Sequence, residues 1–380
     1  MKGDRRTFLK SAGVAGTIAL AGCISSTDDS GSTSTPTEES TESSGDETDT
    51  QTEEQSTSTG EVAANVGMVY ATGGLGDKSF NDMAQRGAIQ AKEELGIAFD
   101  EAQPETNSDF KPAQRQFAQE TDPNYDLISC IGFAQTDALK ENASRYSDQH
   151  FMLVDSVVEA DNVANYVFKE HEGSFQVGHL AGLLTSQSFS TAQAETSGDS
   201  TTLGFVGGVK APLIEKFQAG FEAGAKYANS DIDVQSSYIG SFNDPTAGKE
   251  AAASMYDSGA DIVYHASGAT GLGVFQAAKE KGKFAIGVDA DQSRSDPDFK
   301  EYILASMVKR VNTAVFEAIE SEVNGEFQGG SVITLGLERN GVECVYGQTL
   351  GSEIPQSIKD KISQSREDII NGDISVPQTP

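Results

Sequence analysis

Tryptophan is absent from this chain of 380 residues, and cysteine and histidine are scarce. Cys23, Cys130 and Cys344 are too few for a disulfide scaffold, and a chain of this length buries a core without one. His150, His171, His179 and His265 form no metal-ligand spacing, so neither a metal nor another cofactor is expected. Bases are short too: 27 Lys+Arg face 58 Asp+Glu, a formal net charge of −31. A phosphate polyanion is repelled over most of such a surface, which excludes a generic nucleic-acid binder. Long apolar runs are missing, since the longest near the start, Val14–Ala21, is too short to span a bilayer.

What is present is unevenly placed. Arg5-Arg6-Thr7-Phe8-Leu9-Lys10, followed by a small apolar stretch, resembles a twin-arginine export signal, and Leu20-Ala21-Gly22-Cys23 resembles a lipobox. In this order they predict a signal peptide over 1–23, lipidation at Cys23, and a mature protein anchored on the outer face of the cell membrane. Residues 24–60 hold ten acids and no base, and 20 of the 36 residues from Ser25 to Gly60 are Ser or Thr. Such a segment has nothing to pack, so 24–60 is expected to be a disordered tether, spanning roughly 30–35 Å. The remaining 61–380 carry 47 acids against 23 bases, which suggests adaptation to high salt. Asn142-Ala143-Ser144 forms a glycosylation sequon.

From Val62 onward, apolar or β-branched runs alternate with helical patterns. Strands are expected over 65–70, 126–132, 151–155, 203–206, 234–240, 261–266, 284–289 and 332–335, with helices between them. The alternation predicts an α/β fold with parallel sheets covered on both faces. The number of units, and the polar stretch Thr185–Thr202, point to two lobes. Ligands of such sheets bind beyond the carboxyl ends of the strands.

Those strand ends are rich in candidates. The turn from Ala71 to Asn81 is glycine-rich, yet it lacks the third glycine of a dinucleotide fingerprint and places Asp77 where a phosphate would dock. Gly240 to Lys249 is no P-loop, because Glu250 replaces the magnesium-binding hydroxyl. Phe80 and Asn81 open the following helix toward a cleft, and Asp155 and Asp289 close two apolar strands as acceptors for neighbouring hydroxyls. Tyr264 and His265 approach another glycine-rich strand end, where Gly268 allows close backbone contact. Cys130 lies inside an apolar strand and reads as core, and no Gly-x-Ser-x-Gly elbow occurs, so enzymatic activity is not expected.

As a whole, the string resembles the basic membrane lipoprotein family, PnrA-like nucleoside-binding lipoproteins of ABC importers. The resemblance covers 62–350 and rests on Gly76-Asp77-Lys78-Ser79-Phe80-Asn81, Gly207-Gly208 with Pro212 and Phe217-x-x-Gly-Phe221, His265 to Gly271, Gly287 to Gln292, and Ser306-Met307-Val308-Lys309. It implies a type I periplasmic-binding-protein fold, two doubly wound parallel-sheet lobes joined by three crossings. The expected crossings lie near 162–168, 302–306 and 329–332, giving an amino-terminal lobe of 61–165 plus 303–330 and a second lobe of 166–302 plus 331–380. It further implies a purine nucleoside ligand of the adenosine, guanosine or inosine class. Phe80 would stack on the base against Tyr264 or His265. Asn81 would bond the ligand, Asp155 the base edge, Asp289 the ribose hydroxyls, and Lys309 the ribose or Asp289, with Gly268 in backbone contact. The implied partners are an ABC permease and ATPase. A sugar or other small polar solute, and a sensing receptor without transport, remain the alternative functions.

Overall fold

The computed structural model describes residues 62–380, so the export signal, Cys23 and the tether lie outside the described residues. In chain order the elements are β1 Asn65–Val69, α1 Phe80–Leu95, β2 Ala98–Ala102, α2 Asn107–Gln119, β3 Leu127–Cys130, α3 Thr136–Arg145, β4 His150–Val154, β5 Val163–Phe168, α4 Glu170–Thr185, β6 Thr202–Gly207 and α5 Pro212–Ala228. They continue with β7 Asp233–Tyr238, α6 Pro245–Asp257, β8 Ile262–Ala266, α7 Gly271–Lys281, β9 Phe284–Asp289, α8 Gln292–Ser295, β10 Ile303–Lys309, α9 Val311–Val323, β11 Val332–Leu335, β12 Val342–Tyr346 and α10 Gln356–Ile370.

The strands form two six-stranded sheets, ordered β11-β5-β4-β3-β1-β2 and β12-β10-β9-β8-β6-β7. All pairings are parallel except that of β12 with β10. The two orders correspond strand for strand, so the end of β4 in one lobe matches the end of β9 in the other. Central strands such as β3, β4, β8 and β9 are buried throughout apart from the first residue of β4, as expected where helices cover both faces. Helix ends follow local chemistry. A Thr106–Asp109 capping box opens α2, Asp244 caps α6 by accepting from Ala247 N–H, and Gly96 in a left-handed conformation stops α1.

The lobe boundaries differ from expectation. The stretches expected as crossings, 162–168 and 302–306, fall in full strands, β5 Val163–Phe168 and β10 Ile303–Lys309, that pair with β4 and β9. Their apolar side chains are covered on both faces, so the chain crosses only beyond them, at Lys169 and Arg310. The third crossing follows β11, which pairs with β5, and precedes β12. The first lobe is therefore 62–168 with 311–335, and β10 belongs to the second. Asn142 is buried, and its Nδ2 donates to Lys111 O (3.1 Å) and Gln114 Oε1 (3.0 Å), so the sequon offers no accessible amide. Cys130 is fully buried, as expected of a core residue.

Helices α4 and α5 meet almost backbone to backbone. A Cβ on Gly220 would stand 2.2 Å from His171 O, and one on Gly224 would stand 2.0 Å from Phe175 O. This packing seats the first turns of α5 at the mouth of the second sheet. Among the described residues, no helix is long and apolar enough to cross a membrane.

Candidate functional site

Where the carboxyl ends of the two sheets face one another lies a partly open cavity lined from both lobes. Four phenylalanines line it, Phe80 and Phe133 from the first lobe and Phe217 and Phe242 from the second. Asp77, Asn81, Asp155, Gly268, Asp289 and Lys309 line it too.

On the first lobe, the turn after β1 is built from its own side chains. Asp77 accepts from the backbone N–H groups of Ser79 (2.9 Å), Asn81 (2.9 Å) and Asp82 (3.2 Å), holding the start of α1. Burial pushes its carboxyl above the ordinary value against the pull of these three donors. Asn81 is 1% exposed; its Oδ1 accepts from Ala71 N–H (2.9 Å) and its Nδ2 donates to Gly74 O (3.0 Å). Both residues thus shape the loop that presents Phe80.

Lys309, at the end of β10, sits at the floor and is 1% exposed. Its Nζ lies 2.6 Å from Asp155 Oδ1 and 3.1 Å from Glu170 Oε1. The rings of Phe168, Phe80 and Phe217 surround it at 4.9, 5.2 and 5.6 Å to their centroids. Burial alone would lower the lysine pKa, but Asp155, Glu170 and Asp289 outweigh it and hold the ammonium charged. The carboxyls fare differently, because three of them share one ammonium. Burial pushes Asp155 up to about 6 and Asp289 up to about 7, with Lys309 pulling each back down. Asp155, just after β4, and Asp289, the last residue of β9, both have positive φ, 71° and 62°, a backbone state that aims each side chain from a corresponding place in its lobe.

Tyr264 and His265 do not reach the cavity. Tyr264 is fully buried between Phe205 and Phe221, at centroid distances of 5.6 and 5.1 Å, with its hydroxyl 3.1 Å from Ser174 Oγ. His265 points to the other face, with Nε2 2.9 Å from Gln292 Oε1 and its ring edge-on to Phe275. Burial lowers its pKa to about 4, leaving it neutral. Adjacent residues of a strand point to opposite faces, and both faces of β8 are covered by helices. Of this segment only the last residue of the strand, Ala266, and the turn beyond it, Ser267 and Gly268, meet the cavity.

The second-lobe aromatics come instead from helix α5 and the loop after β7. Phe217 lies in a motif already singled out by resemblance, whereas Phe242 follows Gly240-Ser241 with no distinguishing pattern. A Cβ on Gly208 would stand 2.3 Å from Phe242 Cδ1, so that glycine makes room for the ring. Glu170, wholly buried in the first turn of α4, carries no local sequence signal, because the apolar stretch before it reads equally as a crossing or a strand.

Against known proteins, residues 64–380 match the family model of ABC transporter substrate-binding proteins described as PnrA-like. The chain belongs to this family. It is 34% identical over 335 residues to a CD4+ T-cell-stimulating antigen of Listeria monocytogenes, covering 83% of this chain and 88% of that protein. It is 33% identical to the ABC transporter nucleoside-binding protein BmpA of Lactococcus lactis, covering 80% and 86%. A crystal structure of an ABC transporter solute-binding protein from Aeropyrum pernix superposes with a TM-score of 0.73 at 30% identity, covering 83% of this chain and 94% of that one. The two parallel-sheet lobes are thus those of a type I solute-binding protein. In this PnrA-like protein the lobes touch directly across the cleft: Ser79 Oγ donates to Asp289 Oδ2 (2.5 Å), and Lys78 O accepts from Ser295 Oγ (3.3 Å) and Gln292 Nε2 (3.4 Å). His265, bonded to the same Gln292, stands behind that contact rather than in the cavity.

Proposed function

We propose that this substrate-binding protein captures a purine nucleoside between its lobes and delivers it to an ABC permease and ATPase. The observation that carries the reading is the cavity's composition, with two phenylalanines from each lobe over an acidic floor whose one lysine is already paired. Flat walls on both sides suit an aromatic base, whose stacking contributes about 1–3 kcal/mol. Phe80 provides one wall, and Phe217, near the same ammonium, the other. Asp289 accepts from the ribose hydroxyls, Asp155 meets the base edge, and Lys309 orients both carboxylates. Gly268 brings backbone within reach.

A phosphate is disfavoured, because the lining Asp77, Asp155 and Asp289, with Glu170 behind them on Lys309, outnumber that one lysine, and among the described residues no arginine lines the cavity. A sugar is less well served than a nucleoside. It needs polar partners around its whole rim, and Asn81 is already occupied by backbone groups. The name of the Lactococcus relative, a nucleoside-binding protein, supports the same choice. Export by the twin-arginine route, a lipid on Cys23 at the outer face of the cell membrane, and service in a saline medium complete the reading. Cys23→Ser should release the protein from membranes. Phe80→Ala should weaken nucleoside binding by about 2 kcal/mol in calorimetry, and unchanged affinity would remove Phe80 from the site.

A further inference from the structure

A second, open groove lies between the lobes on the other side of the second crossing. Successive residues turn to opposite sides there: Lys309 enters the ligand cavity, whereas Val308 and Arg310 line the second one. Three of the seven arginines among the described residues meet in it, Arg86 from α1 of the first lobe, Arg294 from α8 of the second, and Arg310 at the crossing. In a body with 47 acids and 23 bases, this is an unusual concentration. Arg310 pairs with Glu343 (2.5 Å). Arg294 Nη2 has only the neutral Gln348 Oε1 at 3.3 Å, and Arg86 Nη1 only Met83 Sδ at 3.5 Å, so neither forms an ion pair among the described residues. The one lining carboxylate, Asp291, accepts from Ser293 Oγ (2.6 Å) and Gln348 Nε2 (2.7 Å).

We propose that this groove binds a small inorganic oxyanion between the guanidinium groups of Arg86 and Arg294, one from each lobe, and that the anion holds the lobes closed. A planar guanidinium fork matches an oxyanion through paired N–H donors, and two forks from different lobes converge only when the lobes are together. An anion bound in this way favours the closed population and, by reciprocity, tightens whatever ligand that population holds. The site is separate from the nucleoside cavity, and its occupancy is measurable without a nucleoside.

The test is equilibrium dialysis of radiolabelled inorganic phosphate against the full-length chain at constant ionic strength, with chloride replaced stepwise by phosphate. Saturable binding is expected, weakened about tenfold or more in the double variant Arg86→Gln/Arg294→Gln. Both residues are exposed, so the variant keeps its core. The control Lys140→Gln/Lys226→Gln makes the same charge change at exposed sites elsewhere and should bind phosphate normally. Absent binding, binding that survives the arginine changes, or equal loss in the lysine control would each overturn the proposal.

Discussion

Ser79 Oγ donates a hydrogen bond of 2.5 Å to Asp289 Oδ2 although the residues lie 210 positions apart and on opposite lobes. Both are buried, so closing the cleft removes water from the bond and strengthens it. A contact of this kind exists only while the lobes are together. Ser79→Ala should therefore favour the open arrangement and leave Asp289 without its cross-cleft donor, at a cost of about 1–3 kcal/mol. Calorimetric titration with a nucleoside should show weakened affinity, and small-angle scattering a more expanded ligand-free protein. Wild-type values for both would remove this bond from closure.

Asp289 also gives the protein a pH signature. Its folded pKa, about 7, stands above the ordinary 3.8, so the folded chain binds more protons than the unfolded one between those values. Stability contributed by this group is full below pH 3.8 and is lost as pH rises toward 7. Asp289→Asn should flatten the upper part of that decline, leaving those of Asp155 and Asp296, which end near pH 6, and that of Asp77, whose carboxyl burial also raises. Thermal unfolding of both proteins from pH 4.5 to 8 checks this, and parallel curves would contradict it. Nucleoside affinity should run the other way, rising toward pH 8 as the carboxylate proposed to accept the ribose hydroxyls becomes charged.

Lys309 compensates Asp155 and Glu170 in a site where all three side chains are almost wholly buried. Lys309→Met should leave buried carboxylates unpaired and destabilise the fold by about 3–5 kcal/mol. Adding Asp155→Asn should restore part of the loss, because it removes one of the stranded charges. Chemical denaturation of the single and double variants reads both effects; no rescue would mean that the lysine acts chiefly by packing against Phe80, Phe168 and Phe217.

Gly208 is a remote handle on the cavity wall. An alanine there would drive its Cβ into Phe242 and displace the ring. Gly208→Ala should cost about 1–3 kcal/mol of stability and weaken nucleoside binding although residue 208 itself does not line the cavity. Unchanged affinity would show that Phe242 is not a wall of the occupied site.

How much of this was legible in the sequence differs from element to element. Strands β1, β3, β4, β8 and β9 are largely apolar runs that lead within a few residues to a glycine or an acid, so both their existence and their informative ends could be read. The edge strand β2 is half exposed and carries Asp100 and Glu101, which hides it from any apolar pattern. Strands β5 and β10 are apolar enough to read, yet a crossing and a buried strand share that composition, and only pairing partners separate them. Phe80, Asp155, Asp289 and Lys309 do converge, because each stands at a helix start or strand end that the topology forces to the cleft. Tyr264 and His265 stand one or two residues earlier, inside the doubly covered sheet. Phe242 and Glu170 needed the third dimension, since neither carries a local signal.

The most direct measurement is calorimetric titration of the purified protein with adenosine, guanosine and inosine beside their monophosphates and free ribose. The account predicts saturation by at least one nucleoside, with its monophosphate bound about 100-fold more weakly because a dianion meets the acidic floor. Ribose alone, without a base to stack, should bind weakly or not at all. Tight binding of the monophosphate, or of a sugar in preference to every nucleoside, would contradict it.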